Sequence, residues 1–206
     1  MNNLIDMENI YFSYDKKNNV LKNISLSIEY NKYYGIYGHS GSGKSTLLFI
    51  MGKLLKPDSG KINYNIDKTK IGFVFQFFNL INELTILDNA KLAQYIRKKR
   101  YNYNEIRDIS EILGIENLLN KYPYELSGGE KQRASILRAV VGDVKLILAD
   151  EPTGSLDMNN KLIVFNLFKK IVSLKKTVVV VSHENELINY CDKKIFLEDG
   201  ILKGEL

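Results

Sequence analysis

Apolar and polar positions along the chain follow two rhythms. Stretches at Asn9–Tyr14 and Ile24–Ile28 read as early strands. Tyr33–Tyr37 is a short apolar run that ends in a glycine-rich loop, and a helix is predicted from Lys44 through Leu47, Leu48, Ile50 and Met51. Pro57-Asp58-Ser59-Gly60 has the residues of a turn, and Ile71–Phe75 those of a buried strand. From Thr85 to about Leu119 the pattern is helical, with Ile86, Leu87, Ala90, Leu92, Ala93 and Ile96 apolar. Ser127 with Glu130 three residues on is a capping-box signal for another helix. Leu146–Ala149 and Val178–Val181 are continuous apolar runs, as expected of parallel strands covered on both faces, and Ile195–Leu197 is a last strand candidate. Strands alternating with helices predict an α/β fold, with a helical lobe inserted at about 79–138.

Composition narrows the class. The chain has 206 residues, enough for one domain with a substantial core, and no internal repeat. No apolar stretch approaches the roughly 20 residues of a membrane span, and the N-terminus lacks a signal peptide's basic and apolar regions. The single cysteine, Cys191, excludes an internal disulfide and suits a reducing, cytoplasmic setting. With only two histidines, His39 and His183, a Cys/His zinc cage is also excluded. The net charge of +5 permits an anionic partner without choosing among nucleotide, nucleic acid and lipid. The chain stops soon after Gly200, so no C-terminal regulatory domain is expected.

Two motifs carry chemistry. Gly38-His39-Ser40-Gly41-Ser42-Gly43-Lys44-Ser45-Thr46 fits G-x-x-x-x-G-K-S/T between a strand and a helix. Its glycines let backbone N–H groups curl around phosphate oxygens, and the helix N-terminus adds positive potential. Lys44 supplies an ammonium for the β- and γ-phosphates, and the Ser45 hydroxyl can ligate Mg²⁺. The apolar strand before Asp150-Glu151 delivers two acids to a strand's carboxyl end, where parallel sheets bind ligands. Asp150 is placed to hold Mg²⁺, and Glu151 to orient and deprotonate a water in line with the γ-phosphate.

Leu126-Ser127-Gly128-Gly129-Glu130, followed by Lys131-Gln132-Arg133, resembles the signature motif of ABC-type ATPases. Other elements of that family stand in order: Gln76 at the Q-loop, Asp150-Glu151-Pro152-Thr153 at Walker B, Ser155-Leu156-Asp157 at the D-loop and Val181-Ser182-His183 at the switch histidine. The resemblance covers essentially the whole chain. It implies an ABC-type P-loop core, 1–78 and 139–206, with an N-terminal antiparallel β subdomain and a helical subdomain at 79–138. It implies ATP and Mg²⁺ as ligands, with Tyr14 stacked on adenine, Ser40 to Thr46 around the phosphates, and Ser45, Gln76 and Asp150 at the metal. Gln76 and His183 join Lys44 and Glu151 as catalytic groups, His183 reaching for the γ-phosphate, whereas His39 is read as filler in a variable loop position. Ser127, Gly128 and Gly129 open a helix and so form a second anion site. In the family the two sites meet on one nucleotide when two chains pair head to tail, which implies a homodimer on ATP and places Asp157 near the opposite subunit.

Phe75-Gln76-Phe77-Phe78-Asn79-Leu80, Leu84-Thr85 and Pro152-Thr153-Gly154 resemble the MacB/LolD group of exporters and lipoprotein-releasing systems, which also resembles the division ATPase FtsE. That likeness implies a separate membrane permease and a post on the inner face of the membrane. The permease is expected to dock near Phe77, Phe78, Leu80 and Ile81. A regulatory or mechanical role like that of FtsE stays open. A nucleic-acid-associated ATPase is suggested only by Arg97-Lys98-Lys99-Arg100, which reads more simply as a solvated helix end, so no nucleic acid is expected. Four residues depart from the family: Asn31-Lys32 for a Gly-Glu pair, Val144 for a proline before Walker B, and Leu137 for an alanine in the signature helix.

Overall fold

The structure, a computed structural model, describes residues 3–98, 100–184 and 189–205. A small antiparallel sheet joins β1 (Asn3–Phe12), β2 (Leu21–Glu29) and β4 (Ser59–Tyr64) in the order β2-β1-β4. A larger sheet runs β5 (Ile71–Val74), β6 (Leu146–Asp150), β7 (Thr177–Ser182), β3 (Tyr33–Tyr37), β8 (Lys193–Glu198) and β9 (Ile201–Glu205). Its first five strands are parallel, and β9 closes the edge antiparallel. The helices are α1 (Lys44–Met51), α2 (Ile86–Lys98), α3 (Tyr103–Ile112), α4 (Gly128–Val140) and α5 (Met158–Ser173).

The continuous apolar runs have the predicted cause. On β7, Val178 and Val180 face one core with α2 to α5, while Val179 and Val181 face a second core with α1 and the small sheet. On β6, Ile147 and Ala149 divide from Leu146 and Leu148 in the same way. Alternate side chains of one strand therefore enter two different cores, and no polar face is left.

The first strand is longer than its pattern suggested and ends at Phe12. Leu4, Ile5, Met7, Ile10 and Phe12 are all buried, but Asn9 adopts φ 52° and the pairing register shifts between Met7 and Ile10. That bulge resets the alternation, so no period-two run spans the strand. Ser59 and Gly60 belong to β4 rather than to the preceding turn. β4 and β9 both lack an apolar stretch because they are sheet edges, half solvated along their length.

The departures from the family pattern fit locally. Asn31 sits at φ 58°, a left-handed conformation that asparagine tolerates better than other non-glycine residues, and its N–H donates to Thr177 Oγ1 at 2.7 Å. Leu137 and Val144 are fully buried apolar groups in the core beneath β5 and β6.

Candidate active site

The register of the large sheet gathers the site. β3 ends at Tyr37 opposite Ser182 of β7, and Asp150 of β6 pairs with Val181. The phosphate loop, the acids and the histidine thus emerge side by side at the carboxyl ends of three adjacent strands.

The loop's glycines are needed where backbone passes closely. A Cβ on Gly38 would lie 2.0 Å from Leu197 O, and one on Gly43, at φ 99°, would meet Leu21 at 2.9 Å. No side chain caps α1, so its first-turn amides stay open to an anion. Lys44 Nζ donates to the carbonyls of Gly38 at 2.8 Å and His39 at 2.9 Å and lies 4.0 Å from Glu151 Oε1. Burial pushes the Lys44 ammonium below its ordinary value, against the pull of Glu151 and Asp150. Ser45 Oγ donates to Asp150 Oδ1 at 2.7 Å. Burial raises the Asp150 carboxyl, partly offset by that hydrogen bond.

Glu151 adopts φ 44°, a strained conformation for a non-glycine residue, held by its N–H on Val181 O at 3.0 Å. Its Oε2 lies 3.0 Å from His183 Nδ1 and 3.4 Å from Ser182 Oγ. A carboxylate only accepts, so Nδ1 carries the proton and Nε2 is left to face solvent or substrate.

A cleft of about 770 Å³ takes in Tyr14, Ser40, Gly41, Gly43, Lys44, Ser45 and Thr46, with Gln76, Glu151 and His183 across it. Asp150 joins through Ser45, while Ser42 is buried behind the loop with its hydroxyl unpartnered. Tyr14 is 64% exposed at the cleft wall. It packs edge-on against Phe12 at 4.8 Å, and its hydroxyl hydrogen-bonds Thr46 Oγ1 at 3.1 Å. Val20 also lines the cleft and was not foreseen, since nothing marks a valine at a strand's start as functional. His39, read as filler, lines it too, with Nε2 3.3 Å from Asp199.

Ser127, Gly128 and Gly129 are not in this cleft. Ser127 caps α4, and its N–H and hydroxyl both donate to Glu130 Oε2, at 2.8 and 2.7 Å. Gly129 is close to the start of α5, where an added Cβ would come within 2.4 Å of Asn160 Oδ1. Asn160 is in turn bound by Asp157, the exposed cap of α5.

The expected docking residues divide between two surfaces. Phe77, 78% exposed, lines a shallow groove of about 210 Å³ with Phe78, Leu80, Pro123 and Lys131. Ile81 lies in a separate apolar groove of about 330 Å³, with Leu54, Phe75, Leu92 and Ile96 on its walls and Arg97 and Arg138 alongside. Arg97 points inward, donating to the carbonyls of Arg138 and Val141, and burial pushes its guanidinium down to about 10. It is therefore committed within the protein rather than to a phosphate backbone. Lys99 of the same basic run lies outside the described residues, as does the Lys98 side chain.

A model of the ABC transporter family matches residues 21–154. The chain belongs to that family. It is an ABC-type ATPase, as the motifs implied, with an ABC cassette fold. A lipoprotein-releasing system ATP-binding protein, LolD, of Blochmanniella floridana is 41% identical over 89% of this chain and 86% of its own length. A macrolide export ATP-binding/permease protein, MacB, of Chlorobium phaeobacteroides is 34% identical over the whole of this chain, which spans 34% of that larger protein. A dimeric structure of a post-hydrolysis state of the ATP-binding cassette MJ0796, bound to ADP and Pi, superposes with a TM-score of 0.85 at 35% identity, over 98% of this chain and 97% of that one. No helix among the described residues is long and apolar enough to cross a membrane.

Proposed function

We propose that two copies of this chain close head to tail on ATP and drive a separate membrane permease of the LolD/MacB kind, in export or in extraction of a peptide, lipid-linked or drug-like substrate. What supports this reading is the placement of the two helix starts expected to bind anions. α1 opens into the cleft with Lys44, Glu151 and His183, whereas α4 presents Ser127 and Gly128 to solvent away from it. A second copy supplies what one chain leaves apart, and Asp157 then lies against it. The subdomains in this reading are 1–78 with 139–206, and 79–138. The post is the cytoplasmic face of the membrane.

Each residue has a role. Tyr14 stacks on adenine, while Ser40 to Thr46 and Lys44 hold the phosphates. Ser45 Oγ and Asp150 Oδ1 are neighbouring hard oxygen donors and fit Mg²⁺, with the Gln76 carbonyl as a further donor. Mg²⁺ held there would supply charge neutralisation at the phosphates. Glu151 takes the proton of the attacking water, and His183, fixed by Glu151 through Nδ1, offers Nε2 to the γ-phosphate. The permease docks at both grooves, seating a short helix across the apolar groove of Ile81, Phe75, Leu92 and Ile96 and a second contact in the groove of Phe77, Phe78 and Leu80.

Glu151→Gln tests the core of this reading. It is expected to lower hydrolysis by about 10²- to 10⁴-fold, keep ATP binding and accumulate a dimer on ATP, read by light scattering. Normal hydrolysis by this variant would remove Glu151 as the base.

A further inference from the structure

One buried carboxylate beside the cleft has no part in the steps above. Glu184 follows His183 and is buried, and a buried carboxylate needs hydrogen-bond partners. Its Oε1 accepts from Lys161 Nζ at 2.6 Å, its Oε2 accepts from Thr153 Oγ1 at 3.1 Å, and its own N–H donates to Ser182 Oγ at 3.1 Å. Lys161 lies at the start of α5, where its N–H bonds Asp157 O at 3.0 Å. Thr153 is fully buried in the turn between Glu151 and Asp157. One side chain thus ties the end of β7 to the turn after the acids and to the helix that Asp157 caps. His183 itself is well exposed, and its described side-chain contact is with Glu151. Its place is set by the backbone on either side, through Ser182 in the sheet and Glu184 in this network.

We propose that Glu184 is a positioning residue for hydrolysis: with Lys161 and Thr153 it fixes the His183 backbone to the start of α5. The histidine and the turn bearing Asp157 then move as one body when that turn meets a second copy. This rests on the roles given to Glu151 and His183.

The test uses the full chain. Glu184→Gln keeps the side chain's shape and removes its charge, and Lys161→Met removes the cation. Each is expected to lower kcat about tenfold or more, the scale of a small misplacement of a reacting group. The KM for ATP should stay within about twofold, because the phosphate loop is untouched. The double variant should fall no further than the worse single one, and Lys161→Arg should recover most of the rate. Wild-type kcat in both single variants would overturn the proposal. So would losses that multiply in the double variant, or losses that match the unfolded fraction by melting curves. Should either single variant fail to fold, Thr153→Val is read for the same kcat-only loss. Glu151→Gln, assayed in parallel, separates the two readings. If it is inactive while Glu184→Gln and Lys161→Met turn over normally, only the positioning role fails. If it turns over normally, the assignment of the base fails.

Discussion

Replacing Gly38 by alanine asks whether the loop's shape is set by contact with the sheet. The added Cβ would lie 2.0 Å from Leu197 O and 2.8 Å from Ser42 Oγ, where ordinary contact begins near 3.4 Å. Loop and strand end must part by the difference, about 1.4 Å at the carbonyl. β3 and β8 are hydrogen-bonded neighbours up to Tyr37 and Phe196, so the sheet yields little and the loop takes up the shift. Overpacking of this kind costs about 1–3 kcal/mol. The shift also moves the Gly38 carbonyl that anchors Lys44 at 2.8 Å, along with the amides that would face the phosphates. ATP affinity is therefore expected to fall by about tenfold or more, the equivalent of about 1.4 kcal/mol. Gly114→Ala is the control. Gly114 sits at φ 64° with open space around it and lies far along the chain from the loop. It should lose about 1–2 kcal/mol for the left-handed backbone while ATP affinity stays at the wild-type level. Urea unfolding followed by circular dichroism gives the stabilities, and calorimetric titration gives the affinities. A Gly38→Ala protein with the wild-type urea midpoint and ATP affinity would refute the close-contact account.

Three further outcomes follow from single side chains. Tyr14→Ala should weaken ATP binding by about fivefold or more, from the low end of base stacking upward, while Tyr14→Phe, which loses only the Thr46 bond, should bind nearly as wild type; equal affinity of all three in titration would remove Tyr14 as the adenine platform. Ser127→Ala should cost about 1 kcal/mol of stability; the Ser127 N–H first, and its hydroxyl second, hold the Glu130 carboxyl below its ordinary 4.5, so this contribution is present above that pH and lost as pH falls through the depressed folded value, and the alanine variant, which keeps the N–H, should lose only the hydroxyl's part of it in pH-dependent unfolding. Ile96→Asp, at a position 68% exposed, should change stability by no more than about 0.5 kcal/mol yet abolish co-purification of a membrane partner; retained association would move the docking site elsewhere.

The buried strands were legible because parallel strands between two cores leave unbroken apolar runs, and the phosphate loop because its glycines, lysine and serine stand at a motif's spacing between a strand and a helix. Elements at the edges of sheets were not legible. β4 and β9 bury only part of one face, and the bulge at Asn9 disguises the period of β1. In the site, residue types announced Lys44, Ser45 and Asp150, whose chemistry is local to a motif. Val20 and Glu184 could not be found that way, since a cleft wall and a buried ion pair exist only once distant segments meet. Leu80 shows the same limit from the other side, because an apolar residue near the Q-loop position can serve the core as well as a groove, and here it does both.

The proposed second anion site at the start of α4 bears directly on the proposed pairing. A helix start that binds phosphate must offer free amides. α1 does so within the cleft, having no capping side chain. At α4 the Ser127 hydroxyl is held by Glu130 inside the chain, an arrangement that satisfies a lone helix end facing water. For Ser127 to take a phosphate oxygen instead, its hydroxyl must leave Glu130 Oε2, while the Ser127 N–H can keep that carboxylate in place. Rotation about the Cβ–Oγ bond frees the hydroxyl proton for a ligand, while Oγ can still accept from the Glu130 N–H. The reading requires that the cap be worth most in the isolated chain and least in the ATP-bound pair. Ser127→Ala should accordingly weaken ATP-driven dimerisation of the Glu151→Gln protein by more than it weakens ATP binding to the single chain, and an equal effect on both would place Ser127 outside the shared site.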